Sequence, residues 1–287
     1  KERYLPPMAE GKEIWCQLFS EPSAGSDVAG LRSKAIQDGD KWIINGQKVW
    51  TSGAHFSDFG ILVVRHDPNL EKHKGMTFFF VDMKSPGIEV KPIKQITGGS
   101  SFNEVYFTDV EIPDSQRLGE IGDGWKVAMA TLTSERGAGV GVGAVASESP
   151  TLVMAQVIEL AKTTRRNGRA VWDDPVWRDR LVKMYERTEA AVQNSRRARL
   201  KALNGGAMRI PLQGKVVGSE ISQELHHIAL GILGLKSSLY VRDAHAADDG
   251  KWPLGYMNSY TGTISGGSSE IQRNILGERV LGLPKTK

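Results

Sequence analysis

The sequence predicts an α+β chain, with an antiparallel β-barrel or sandwich domain over residues 1–117 and an antiparallel helical bundle over residues 118–287. Three observations carry this reading. From about residue 14 to 112 apolar side chains recur with period two, and turn residues punctuate the runs. After Pro113 the spacing changes to three and four and is broken only by glycine or proline. Several short strands also follow one another with no helix between them, which favours antiparallel closure over a parallel α/β sheet.

The expected strands are Ile14–Phe19, Lys41–Ile44 joined through Asn45-Gly46 to Gln47–Thr51, Gly60–Arg65, Met76–Asp82, Gly87–Ile93 and Phe102–Ile112. Asn-Gly between two such runs reads as a hairpin, because both residues accept positive φ. In the second half, Leu181, Met184, Thr188 and Val192 form one stripe, and Val217, Ile221, Leu225, Ile228 and Ile232 form another. Such stripes belong to helices packed in a bundle. Asp173-Asp174-Pro175 supplies a cap and a first-turn proline for the helix that follows.

With 287 residues, 40% hydrophobic and 24% charged, the chain has the composition of a globular protein with room for two domains. No apolar run reaches the roughly 20 residues that span a bilayer, and KERYLPPMAE lacks the core of a signal peptide, so a soluble, cytoplasmic protein is expected. The single cysteine, Cys16, excludes an intrachain disulfide and a multi-cysteine metal site and reads as a small buried side chain. A net charge of +4 suits a phosphate-bearing small ligand as easily as nucleic acid, and no nucleic-acid partner is expected. The basic stretch Arg196–Lys201 reads as a solvated helix face.

In the helix opening at Asp123, Trp125, Ala128, Met129 and Leu132 form an apolar row that Glu135 extends. A carboxylate on such a face is either a general base whose pKa burial raises, or a partner of Arg136, or part of a frayed helix end. The run Gly137–Ala144 matches a G-x-G-x-x-A fingerprint only superficially, since a helix and not a strand precedes it. Hydroxyl-rich loops at Ser20–Asp27, Trp50–Gly53 and Gly262–Ser269 offer donors for a phosphate without identifying a ligand. The adjacent His226 and His227 point to different parts of a helix and read as packing or exposure, so no metal site is expected.

Taken in order, SEPSAGSDVAGLRSKA (20–35), GDKWIINGQKVWTSGA (39–54), GW (124–125), SER (134–136) and GGSSEIQRNILGERVLGLP (266–284) resemble the acyl-CoA dehydrogenase family over nearly the whole chain. The resemblance places the start of the chain at the close of that family's N-terminal helical domain. It implies FAD as cofactor, acyl-CoA as substrate, electron-transfer flavoprotein as electron acceptor and a dimeric or tetrameric homo- or hetero-oligomer. It also implies α,β-dehydrogenation, in which a carboxylate takes the α-proton and the β-hydride passes to flavin N5.

Carried over residue by residue, the resemblance assigns Phe19, Ser20, Gly25, Ser26, Trp50, Ser52, Ser268 and Glu270 to the cofactor, and Ser26 and Arg136 to the substrate. Most members place the base just before the segment equivalent to Ser268–Glu270, where this chain has Gly266. Some use the glutamate before the arginine of the earlier helix, which is Glu135 here. A second departure is Thr163–Arg169 in place of an R-x-x-F-G element that reaches a neighbouring subunit's FAD, and a third is the altered run His227–Gly234. These departures point to a hetero-oligomer with unequal FAD sites. Two other functions fit the residues: an oxygen-using flavin-dependent relative, and a non-catalytic subunit that completes a partner's FAD site.

Overall fold

The computed structural model describes residues 1–138, 149–197, 200 and 209–285, with 134–138 and 209–212 by backbone alone. By packing, the chain divides into Lys1–Ser134 and Glu135–Lys287. That division falls later than the change of texture near residue 117, because the first turns of helix α2 (Gly124–Ala138) pack on the sheet through Trp125, Ala128 and Leu132.

The first unit begins with a short helix, α1 (Leu5–Ala9). It then builds a curled seven-stranded sheet from β1 (Trp15–Leu18), β2 (Lys34–Asp38), β3 (Lys41–Ser52), β4 (Phe59–Arg65), β5 (Met76–Asp82), β6 (Ile88–Ile93) and β7 (Phe102–Pro113). The order is β1-β4-β2-β3-β7-β6, with β5 paired to β4. Most pairings are antiparallel, as expected for an α+β fold, but β4 runs parallel to β1 and to β2. The β4–β5 hairpin is apolar on both faces. Leu62, Val64, Phe79 and Val81 join the main core with Trp42, Ile44 and Ile112, whereas Val63, Met76 and Phe78 face a second cluster with Phe19, Leu31 and Ala128. Burial on both sides explains why FGILVVR and MTFFFVD read as near-continuous apolar runs.

Asn45-Gly46 does not turn the chain. β3 runs straight through it and absorbs an irregularity in its register with β7 between Ile44 and Gly46. A Cβ on Gly46 would stand 2.3 Å from Ser33 Oγ and 2.7 Å from Ser33 Cα, so glycine is needed there to admit a neighbouring segment. The tight turn lies one strand earlier, where Asp38 pairs with Lys41 around Gly39 at φ +63°. β2 escaped the period-two reading because only Ala35 of its five residues is buried.

The second unit is helical, with α3 (Pro150–Thr163), α4 (Pro175–Arg197), α5 (Arg209–Leu233), α6 (Lys251–Ile264) and α7 (Ser269–Ile275). α5 packs against α3, α4 and α6. Ile221, Leu225, Ile228 and Ile232 are buried there with Val157, Leu181, Met184 and Trp252, while Val217 at the far end of the stripe is exposed. Asp174 caps α4 by accepting from the Val176 amide at 2.9 Å. A two-stranded ribbon, β8 (Arg165–Arg166) and β9 (Arg169–Ala170), turns at Asn167-Gly168. Arg196 and Arg197 are exposed at the end of α4. His226 is buried and bonds the Ser222 carbonyl at 2.7 Å, while His227 is exposed. Among the described residues no three His, Cys, Asp or Glu side chains group as metal ligands, and no helix is long and apolar enough to cross a membrane.

Candidate functional site

The site residues of the first unit lie where the end of β1 meets the end of β3. The Val49 amide donates to the Ser20 carbonyl at 2.9 Å, which brings Phe19 and Ser20 beside Trp50 and Ser52. Phe19 is buried against Phe78, and Ser20 is half-buried. Glu21 and Ala24 then exchange two backbone hydrogen bonds of 3.0 Å, closing a tight turn that presents Gly25 and Ser26 to solvent. Among the described residues the amides of Gly25, Ser26 and Asp27 donate to nothing, so they are open to an anionic ligand.

Trp50 is 59% exposed and holds φ +60°. For a bulky residue the left-handed region costs about 1–3 kcal/mol, and such strain gathers at functional sites. The conformation is fixed from both sides. Lys48 is wholly buried, and after Trp50 the buried Asn103 donates to the Thr51 carbonyl at 2.9 Å while the ring edge meets Phe102. Thr51 Oγ1 is buried without a partner among the described residues, and Ser52 is half-buried beside it.

Under the loop sits an ion pair that sequence reasoning did not single out. Lys48 Nζ donates to Glu21 Oε1 at 2.8 Å and to the Phe19 carbonyl at 3.1 Å. The Glu21 carboxylate also accepts from the Arg32 amide at 2.6 Å and the Ser33 amide at 3.0 Å. The lysine side chain is 0% exposed and the glutamate 4%. Burial pushes the Lys48 ammonium down to about 8 against the opposing attraction of Glu21. Burial also works to raise the Glu21 carboxyl, but attraction to Lys48 and the bonds from Lys48, Arg32 and Ser33 prevail and hold it below its ordinary range. A signal existed: Lys48 shares the parity of Trp42 and Ile44 along β3, the inward row.

Glu135 and Arg136 lie in α2, but their side chains are outside the described residues, as are all but the first two residues of the glycine run Gly137–Ala144. Ser268 and Glu270 belong to the second unit. Ser268 is the N-cap of α7, its hydroxyl accepting from the Ile271 amide at 3.3 Å. Glu270 is exposed in the first turn of that helix, and bonds from its own amide and from Ser268 hold its carboxyl below the ordinary value. Gly266 and Gly267 both have positive φ, with carbonyls bonded by Gln272 and Lys215. Beside them Thr263, Ile264, Ser268, Glu270 and Arg273 line an open cleft of about 320 Å³.

Residues 16–110 match the profile of the acyl-CoA dehydrogenase middle domain, and residues 122–281 match that of the acyl-CoA dehydrogenase C-terminal domain. The chain is 38% identical over 289 residues to acyl-CoA dehydrogenase IpdE1 of Mycobacterium tuberculosis, a match covering 99% of this chain and 71% of the relative. Among solved structures it resembles the Tcur3481-Tcur3483 steroid ACAD, with TM-score 0.87 and 28% identity over 99% of this chain and 72% of that one. It also resembles the ChsE4-ChsE5 complex from Mycobacterium tuberculosis, with TM-score 0.85 and 29% identity over 99% and 73%.

Proposed function

The chain belongs to the acyl-CoA dehydrogenase family of FAD-dependent oxidoreductases, and on that premise we propose that it desaturates an acyl-CoA thioester between Cα and Cβ with Glu135 as the base. The observation that carries the role of Glu135 is its helix. Trp125, Ala128 and Leu132 of α2 pack against apolar side chains in the first unit, and the same α-helical run continues through Glu135. At the position where most members carry the base, this chain has Gly266 in a left-handed conformation.

In the proposed reaction the Glu135 carboxylate takes the α-proton as that C–H bond breaks. The β-carbon then gives up its hydrogen with the bonding pair, and the Cα=Cβ bond forms. FAD, when bound, supplies the acceptor for that hydride, and electron-transfer flavoprotein carries the electrons onward. The exposed Trp50 offers a flat wall for a ring, and the unpaired amides of Gly25 and Ser26 offer donors to phosphate oxygens, so the first unit fits a flavin nucleotide. Phe19, Ser20 and Ser52 would complete that side of the cradle. By the family resemblance Ser268 and Glu270 are also assigned to the cofactor, and Ser26 and Arg136 to the substrate. Assembly with a second chain of the family is favoured by the sequence departures at Thr163–Arg169 and His227–Gly234, and one of the similar solved structures is the ChsE4-ChsE5 complex.

The test is Glu135→Gln in the full-length holoenzyme, mixed without oxygen with straight-chain and ring-bearing acyl-CoA thioesters. The variant is expected to retain yellow, bound FAD but to be reduced by substrate about 10²–10⁴-fold more slowly, the usual contribution of a positioned base. Reduction at the parent rate rejects Glu135 as the base. A purified parent protein that carries no FAD in any assembly rejects the catalytic reading and leaves a subunit that only completes a partner.

A further inference from the structure

We infer that Lys48 and Glu21 are positioning residues, a buried ion pair that locks the Ser20–Asp27 loop to the end of β3 and so holds the cofactor cradle in shape before anything binds. The inference rests on the reading of that edge as the flavin site.

The geometry singles out this pair. Its bonds join three separate stretches of chain. Lys48 belongs to β3, two residues before the strained Trp50. Phe19, whose carbonyl Lys48 bonds, and Glu21 belong to the loop after β1. Arg32 and Ser33, whose amides Glu21 accepts, lead into β2. Two further ties run in parallel: the Val49 amide on the Ser20 carbonyl, and the close approach of Gly46 to Ser33. Both side chains are almost wholly removed from solvent.

A buried ion pair is a poor way to gain stability, because desolvation cancels most of the attraction and apolar side chains of similar size usually serve better. Its strength lies in direction. The ammonium must point at two oxygens and the carboxylate at two amides and one ammonium, which allows few arrangements of the loop. A loop held in its bound shape spares the ligand the cost of ordering it.

The experiment compares Lys48→Met, Lys48→Arg and Glu21→Gln with the parent holoenzyme. FAD affinity and the visible spectrum of bound flavin are measured alongside far-ultraviolet circular dichroism, and Trp50→Ala serves as a control on the site itself. Lys48→Met and Glu21→Gln are expected to weaken FAD binding by about tenfold, the order of the penalty for ordering one or two side chains at binding, and to shift or blur the flavin bands. Lys48→Arg, which keeps a cation, is expected to recover most of that loss. Should Lys48→Met fail to fold, Glu21→Gln and Lys48→Arg decide the matter by the same readouts. Folded variants that melt earlier but bind FAD with parent affinity and spectrum overturn the positioning role. If Trp50→Ala also leaves FAD binding unchanged, it is the placement of the flavin site that fails. If Trp50→Ala weakens binding while the ion-pair variants do not, only the present inference fails.

Discussion

The cost of the Glu21–Lys48 pair is asymmetric. Replacing Glu21 by Gln strands the Lys48 ammonium, which is 0% exposed, and leaves one of the Arg32 and Ser33 amides facing an amide group. Removing one partner of a buried pair costs about 3–5 kcal/mol, a large share of the 5–15 kcal/mol that holds an ordinary domain together. Glu21→Gln is therefore expected to lower the thermal midpoint clearly at neutral pH. The effect carries a pH signature. The folded-state pKa of Glu21 lies below its ordinary 4.5, so its contribution is full above that value and is lost as pH falls through the lower one. The gap between parent and variant midpoints should narrow on acidification below about pH 4.5. A gap that stays constant from neutral to acid pH would show that Glu21 is not the ionised partner described here.

Among the elements, the sheet shows what alternation reveals and what it hides. β4, β5 and β7 were legible because their apolar residues are long, branched or aromatic and are buried on at least one face. β2 was not, because KAIQD buries only Ala35 and takes its place in the sheet from backbone pairing with β3. The Asn45-Gly46 hairpin was misplaced for a related reason: a glycine that permits positive φ and a glycine that clears room for a neighbour look identical in sequence. At Gly46 both roles meet, since its φ is +151° and a Cβ there would press on Ser33, so Gly46→Ala tests them together. An alanine methyl would press on Ser33 Oγ and Cα, and overpacking of this kind costs about 1–3 kcal/mol. Chemical denaturation should show that loss, and pairing it with Ser33→Gly should not restore stability fully because the Ser33 backbone remains in the way. An unaffected Gly46→Ala protein would mean the segment yields easily and that glycine there is incidental.

Over the whole molecule, the order of strands before helices was readable from a change of period, and the family from strings spread along the chain. The candidate site was only partly readable. Hydroxyl and glycine clusters drew attention to the loops of the proposed site, yet the pair beneath them depends on residues 27 positions apart whose meeting requires the sheet. Asn103, which steadies the backbone after Trp50, comes from a strand 52 residues further on and carries no local mark. Apolar stripes marked α4 and α5 well, because both bury one face in a cluster they share with α3 and with Trp252 of α6. The lone sulfhydryl of the chain gives the first unit a built-in reporter. Cys16 is buried beside Met83, and burial pushes its thiol up to about 11, so at neutral pH it is both shielded and almost wholly protonated. A thiol reagent should therefore modify the native protein only as fast as the strand carrying Cys16 swings open. The labelling rate then clocks local unfolding of the sheet, with no probe introduced, and a ligand that tightens the fold would slow the clock.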